Sequence, residues 1–328
     1  MVRSLVTVLI AASVVAAVGA QDPPQGQDQP QEQTVFRGGS ELVRAYVTVI
    51  DRNGRLVTTL RQEDFEVRDE GRPQPVTLFV NQPRDIRLIV LLDVSGSMEG
   101  NLPLLRTGTA ELVKHLRRGD SARIGTFGKD IVISDTFTRD ARELVGALPS
   151  AIDPQAPTPL WRAIDRAVES FGRAAGSAEG DARHVVLVLS DGADSGLTSF
   201  RDRFVTQGDV IERARRQDVM IYAVGMRSRG ARSAPGLGIA GLQAALSADL
   251  PDPQLARVAE ETGGGYVEIN FGDNLGLAFA QVAEELHSQY LLAYEPPRRD
   301  GKVHEIDIRV KQGGMKPRAR KSYVAPKN

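Results

Sequence analysis

The chain has no cysteine, which excludes disulfide cross-links, thiolate metal sites, a cysteine nucleophile and a lipid-bearing cysteine. Histidine is scarce: His115, His184, His287 and His304 are scattered without the paired spacing of a metalloprotease helix, and each reads as a surface or packed residue. Aromatic residues make up 5% of the chain, and the lone Trp161 reads as core. An excess of one charge is also missing, since 41 basic and 42 acidic residues leave a net charge of −1, so nothing points to nucleic acid as a partner. After the first apolar stretch no run approaches the roughly 18 residues that span a bilayer, so no membrane span is expected in the mature chain.

What is present begins with Arg3, an apolar run over residues 5–18 and the small-residue sequence Val18-Gly19-Ala20. Together these read as a signal peptide over residues 1–20, cleaved near Ala20, and predict export to the periplasm or beyond. Residues 21–33, rich in Gln, Pro and Asp, bury too little apolar surface to order themselves and read as a disordered linker. The full chain is 41% apolar, and the remainder is long enough for a large domain with a smaller companion.

Residues 34–84 read as a β segment with an Asn53-Gly54 turn and a second turn at 69–72. From 85 to 288 apolar runs alternate with amphipathic stretches. Strands are expected at 86–93, 122–127, 131–137, 184–190, 219–225 and 266–269, and helices at 102–116, 141–148, 160–174, 209–217, 253–261 and 275–288. This alternation predicts an α/β fold with a doubly wound, mostly parallel sheet. Residues 289–328 return to β character and are expected to pack with 34–84 as a small sandwich-like module framing the α/β domain.

The most informative stretch is Asp93-Val94-Ser95-Gly96-Ser97-Met98, directly after a buried-strand run. One carboxylate and two hydroxyls alternate there along a glycine-containing turn and can converge on a small hard cation; magnesium and manganese favour such oxygen ligands. A second apolar run, 185–189, ends in Ser190-Asp191-Gly192-Ala193-Asp194, and Thr158 lies between the two in a loop flanked by Pro157 and Pro159. In open parallel sheets, ligands bind beyond the carboxyl ends of the strands, where these segments fall.

These residues resemble the metal-ion-dependent adhesion site of von Willebrand factor A-type domains, whose pattern is Asp-x-Ser-x-Ser, then a distant Thr, then a distant Asp. The resemblance covers about 85–288 and implies a Rossmann-like domain that holds Mg2+ (or Mn2+). Asp93, Ser95, Ser97, Thr158 and Asp191 would be its ligands, directly or through water. One departure is Pro157, where the family often has glycine, which implies a stiffer threonine loop. The flanking Val47-Thr48-Val49-Ile50-Asp51, Asp69-Glu70-Gly71 and Tyr290-Leu291-Leu292-Ala293-Tyr294-Glu295-Pro296 look like the frame of a family of secreted bacterial proteins carrying this domain.

Two carboxylates among hydroxyls would leave a bound divalent ion with residual positive charge, suited to a Glu or Asp of a protein partner. No general base is evident beside the proposed ion, so a binding module rather than an enzyme is expected. The competing expectation is a scaffold or assembly subunit that binds through its β module, with the metal site structural or idle. Residues 227–251 and 196–208 are expected to form a partner-selecting rim. The glycine spelling at 236–241 lies too far past its strand to bind a dinucleotide. Glu284-Glu285, and Arg213 with Arg215-Arg216, read as solvated helix faces.

Overall fold

The computed structural model describes residues 42–172, 182–196, 203–227, 251–270 and 273–327. The expected signal peptide, the linker at 21–33, the glycine motif at 236–241, nearly all of the 227–251 segment and residues 197–202 lie outside them.

In chain order, β1 (Val43–Ile50), β2 (Phe65–Asp69), β3 (Arg72–Gln74) and β4 (Leu78–Val80) lead into β5 (Ile86–Asp93). There follow α1 (Leu102–His115), β6 (Ser121–Phe127), β7 (Ile131–Ile133), α2 (Ala141–Gly146), α3 (Leu160–Gly172) and β8 (Arg183–Ser190). The helices α4 (Gln207–Gln217), α5 (Gln254–Thr262) and α6 (Leu275–His287) alternate with β9 (Val219–Met226) and β10 (Tyr266–Ile269). Strands β11 (Tyr290–Tyr294), β12 (Val303–Val310), β13 (Lys316–Arg318) and β14 (Ser322–Val324) end the chain.

The central sheet has six strands in the order β10-β9-β8-β5-β6-β7. Strand β5 shows why: from Leu88 to Leu92 no residue is more than 1% exposed, so both of its faces need cover. Leu88, Val90 and Leu92 meet Leu105 and Leu112 of α1 and Phe279 and Val282 of α6 on one face. Ile89 and Leu91 meet Leu160, Ile164, Val168 and Phe171 of α3 on the other. The α3 positions repeat at the three- and four-residue spacing of one helix face, and Trp161 joins the same core. The sheet is parallel except at β7, which runs antiparallel to β6. The expected strand at 131–137 is therefore only Ile131–Ile133. The Gly128 N–H donates to the Asp130 carbonyl at 3.2 Å, closing a tight return that can only produce an antiparallel neighbour.

Strands from both ends of the chain share two further four-stranded sheets, β13-β1-β11-β4 and β14-β12-β2-β3. Their inner faces enclose one core containing Val43, Val47, Phe65, Val67, Tyr290, Leu292, Ile306 and Ile308. Burial alternates along β12, as a strand with one wet face requires. The β2–β3 turn places Glu70 and Gly71 at φ 48° and 76°, the left-handed pair of a tight hairpin. The Asn53-Gly54 turn also forms, with Gly54 at φ 76°, but is followed only by an isolated bridge between Ile50 and Leu56.

The join between this sandwich and the α/β domain corrects two expectations. Glu285 does not lie on a solvated face: its carboxylate accepts from the Thr48 hydroxyl at 3.1 Å and also from Tyr222 and Arg318. One helix step away, Glu284 is exposed. Arg213 pairs with Asp165, and Arg215 Nε donates to the Ser322 hydroxyl at 2.7 Å, so α4 turns those arginines toward neighbouring elements while Arg216 stays at the surface with Glu212. Arg183 is buried at the same join, its guanidinium 4.9 Å from the centre of the Tyr46 ring and donating to the Leu286 carbonyl at 2.6 Å. Replacing Glu285 by alanine strands Arg318 beside Tyr222, so we expect a loss of about 2–4 kcal/mol in denaturant unfolding, against under about 0.5 kcal/mol for Glu284→Ala. Equal effects of the two would contradict this assignment.

Candidate metal centre

The site forms where the sheet reverses its order. From β5 the chain moves to β6 on one side and later returns to β8 on the other, so a crevice opens beyond the carboxyl ends of β5 and β8. Asp93 is the last residue of β5, and Asp191 follows directly after β8. Both are fully buried.

Hydroxyl and amide groups organise these carboxylates. Asp93 Oδ1 accepts the Ser95 N–H at 2.9 Å, and its Oδ2 accepts the Ser190 hydroxyl at 2.6 Å. Ser97 Oγ donates to Asp191 Oδ1 at 2.7 Å and lies 3.0 Å from Ser95 Oγ. Ser95 is 1% exposed, whereas Ser97 reaches the surface. The Thr158 hydroxyl comes to the same place, because a Cβ added at Gly192 would lie 3.6 Å from Thr158 Oγ1 and 3.9 Å from Ser97 Oγ. All five residues singled out in the sequence thus converge on one crevice from three loops.

Main-chain contacts hold those loops together. Gly96 N–H donates to the Ala156 carbonyl at 2.9 Å, and the chains approach so closely that a Cβ on Gly96 would come within 2.1 Å of the Pro154 oxygen. The proline-flanked Thr158 is pinned through its N–H to Ser195 Oγ at 2.6 Å, while the Ser195 N–H returns to the Thr158 carbonyl at 2.9 Å. Asp194 accepts the Trp161 N–H at 3.2 Å at the start of α3 and the Gly196 N–H at 2.8 Å. Its own N–H reaches Asp252 at 3.4 Å. Ser190, Ser195 and Asp252 were missed as site residues in the sequence. Only the position of Ser190, at the end of an apolar run beside Asp191, offered a signal.

Burial, and after it the neighbouring Asp191 carboxylate, push Asp93 from 3.8 up to about 7. The hydrogen bonds from Ser190 and Ser95 pull in the opposite direction and do not offset this. The chemistry of the donors fits a hard divalent cation: all are oxygen, only two are carboxylates, and those two carry like charge in a dry crevice. Among the described residues no group of three or more His, Cys, Asp or Glu could hold a metal, so any ion here must draw on hydroxyls.

Residues 88–244 match the family model of the von Willebrand factor type A domain, and the chain carries that domain there. No curated protein matches the chain. Among solved structures it is similar to an aerotolerance-related membrane protein from Bacteroides fragilis, at 15% identity and TM-score 0.43, covering 61% of this chain and 98% of that one. BatB from Bacteroides thetaiotaomicron is similar at 17% identity and TM-score 0.43, with the same coverages of 61% and 98%. Proximal thread matrix protein 1 from the mussel byssus, in a structure described as having a zinc-occupied MIDAS motif, is 16% identical at TM-score 0.42, over 66% of this chain and 49% of that one.

Two outcomes follow from the geometry. A folded-state value near 7, against 3.8, means that folded Asp93 holds a proton the unfolded chain has released, so this contribution to stability is present below about pH 4 and lost as pH rises toward 7. Chelated protein should lose on the order of a few kcal/mol between about pH 4 and about pH 7, Asp93→Asn should flatten that slope, and magnesium should restore stability mainly at the upper end. Identical pH slopes for the two proteins in thermal melts would contradict the burial argument. Gly96→Ala must push the first loop off Pro154; with overpacking costing about 1–3 kcal/mol, we expect magnesium affinity to fall about tenfold or more by calorimetry while the fold persists.

Proposed function

We propose that the protein is an exported, non-catalytic interaction module that binds another protein in a metal-dependent way. Asp93, Ser95, Ser97, Thr158 and Asp191 hold Mg2+ (or Mn2+), and the partner contributes a Glu or Asp. The observation that carries this reading is the donor balance of the crevice: two buried carboxylates among hydroxyls, with Ser97 at its surface. When bound there, a divalent cation supplies a position to which an external carboxylate can bind.

The residues divide this task. Asp93 and Asp191 provide the charge that attracts a cation, and Ser190 and the Ser95 amide keep Asp93 oriented. Ser95, Ser97 and Thr158 contribute neutral oxygens, which leave the positive field incompletely cancelled. Ser195 fixes the Thr158 loop so that its hydroxyl is already in place. None of the four histidines is among the hydrogen-bonded groups of the crevice, and two of them are committed to buried carboxylates: His287 to Asp120 at 2.8 Å and His304 to Asp69 at 3.2 Å. Non-catalytic use is thus favoured by how the chain spends its acid–base groups.

Export rests on the character of residues 1–20. Among the described residues no helix is long and apolar enough to cross a membrane. Titrating magnesium and then manganese into the chelated full chain by calorimetry tests the metal reading. Saturable binding that Asp93→Ala abolishes is expected, and heats unchanged by that substitution would overturn it.

A further inference from the structure

Beside the metal crevice, the central sheet ends in an open edge. Strand β7 pairs with β6 on one side only, and no strand lies on its outer side among the described residues. Unpaired edges invite another strand unless they are blocked by proline, by a bulge or by charge on the edge itself. Strand β7 is short, at three residues, but carries no proline and no charge: its sequence is Ile131-Val132-Ile133, and Val132 is 59% exposed.

A groove of about 940 Å3 runs along this edge, lined by Ile131 and Ile133 together with residues of α3 and the approach to α4. Six cationic side chains line it against four carboxylates, and the Arg213–Asp165 pair takes one from each set, which leaves five against three. Lys129, Arg166 and Arg203 are exposed there and have no ion-pair partner among the described residues.

The groove also starts where the metal crevice stops. The Val94 N–H donates to the Phe127 carbonyl at 2.9 Å, and a Cβ on Gly128 would lie 2.9 Å from the Val94 oxygen. The β6–β7 turn, with Lys129, is therefore packed against the loop that carries Asp93 and Ser95.

We infer that the edge of β7 and its cationic groove bind an extended acidic segment of the partner by strand addition. Side chains of a strand alternate between the faces of a sheet, so an added strand turns every second residue toward the groove and the others toward the side of Val132. The matching sequence alternates acidic and apolar residues, with the acidic set meeting Lys129, Arg166 and Arg203. This deepens the proposed function and rests on it only for the carboxylate that would reach the crevice; the groove contacts do not require the ion.

The test uses the full chain and an acetylated, amidated octapeptide alternating glutamate and valine, followed by fluorescence anisotropy with and without magnesium. Reversing two exposed charges that lie off the turn packed on the metal loop, Arg166→Glu with Arg203→Glu, should weaken this peptide at least about tenfold while magnesium affinity by calorimetry stays unchanged. A peptide alternating lysine and valine should not bind. Hydrogen exchange should slow at residues 131–133 when the acidic peptide saturates. Unchanged affinity in the double variant, or unchanged exchange at 131–133, overturns the proposal. If magnesium does not bind but the peptide still protects β7, the metal reading fails and the groove assignment stands.

Discussion

Two like-charged carboxylates, Asp93 and Asp191, are fully buried at the ends of two neighbouring parallel strands, and the surrounding structure depends on tolerating them. A dry environment disfavours both charges, and each disfavours the other, which is why Asp93 is pushed to about 7. Hydroxyls and amides offset part of this cost, and a bound cation would offset the rest. The sheet makes the arrangement possible: β5 is apolar from Leu88 to Leu92 and β8 from Val185 to Leu189, and the two lie side by side at its centre, so the polar groups that follow these runs meet in one crevice.

The loops are stiff for the same reason. A site made of neutral hydroxyls binds weakly unless the hydroxyls are already in place, because ordering them on binding costs conformational entropy. Gly96 against Pro154, the reciprocal Thr158–Ser195 hydrogen bonds and the Asp194 contact at the start of α3 provide that order from the backbone. Farther from the site, Glu285 and Arg183 fasten α6 and β8 to strands from both chain ends. The helix that closes the α/β domain is thereby tied to the sandwich instead of ending free.

Much of this was legible because it depends on apolar runs. The runs at 86–92 and 185–189 locate two central strands, and the polar residue after each locates the crevice. Bringing Thr158 to the same point needed the family resemblance, since nothing in its own spacing measures a distance to Asp93. Other features were hidden for physical reasons. Glu284 and Glu285 look alike in a sequence, yet one helix step of about 100° separates solvent from Tyr222 and Arg318. The direction of β7 depended on the turn at Gly128 rather than on its own residues. Ser195 carries no hydrophobic period at all, and its role appears only when the threonine loop is seen beside it.

The central claim is that the crevice holds a divalent ion with a position left for a carboxylate from outside the chain. Pulsed electron paramagnetic resonance of the manganese-loaded protein, with and without acetate labelled with carbon-13 at the carboxyl group, tests this directly. We expect a carbon-13 hyperfine coupling from acetate bound to the ion, absent in Asp93→Ala. A manganese signal that depends on Asp93 but shows no coupling to acetate would mean that the chain closes the ion's shell by itself, and would contradict metal-mediated capture of a partner.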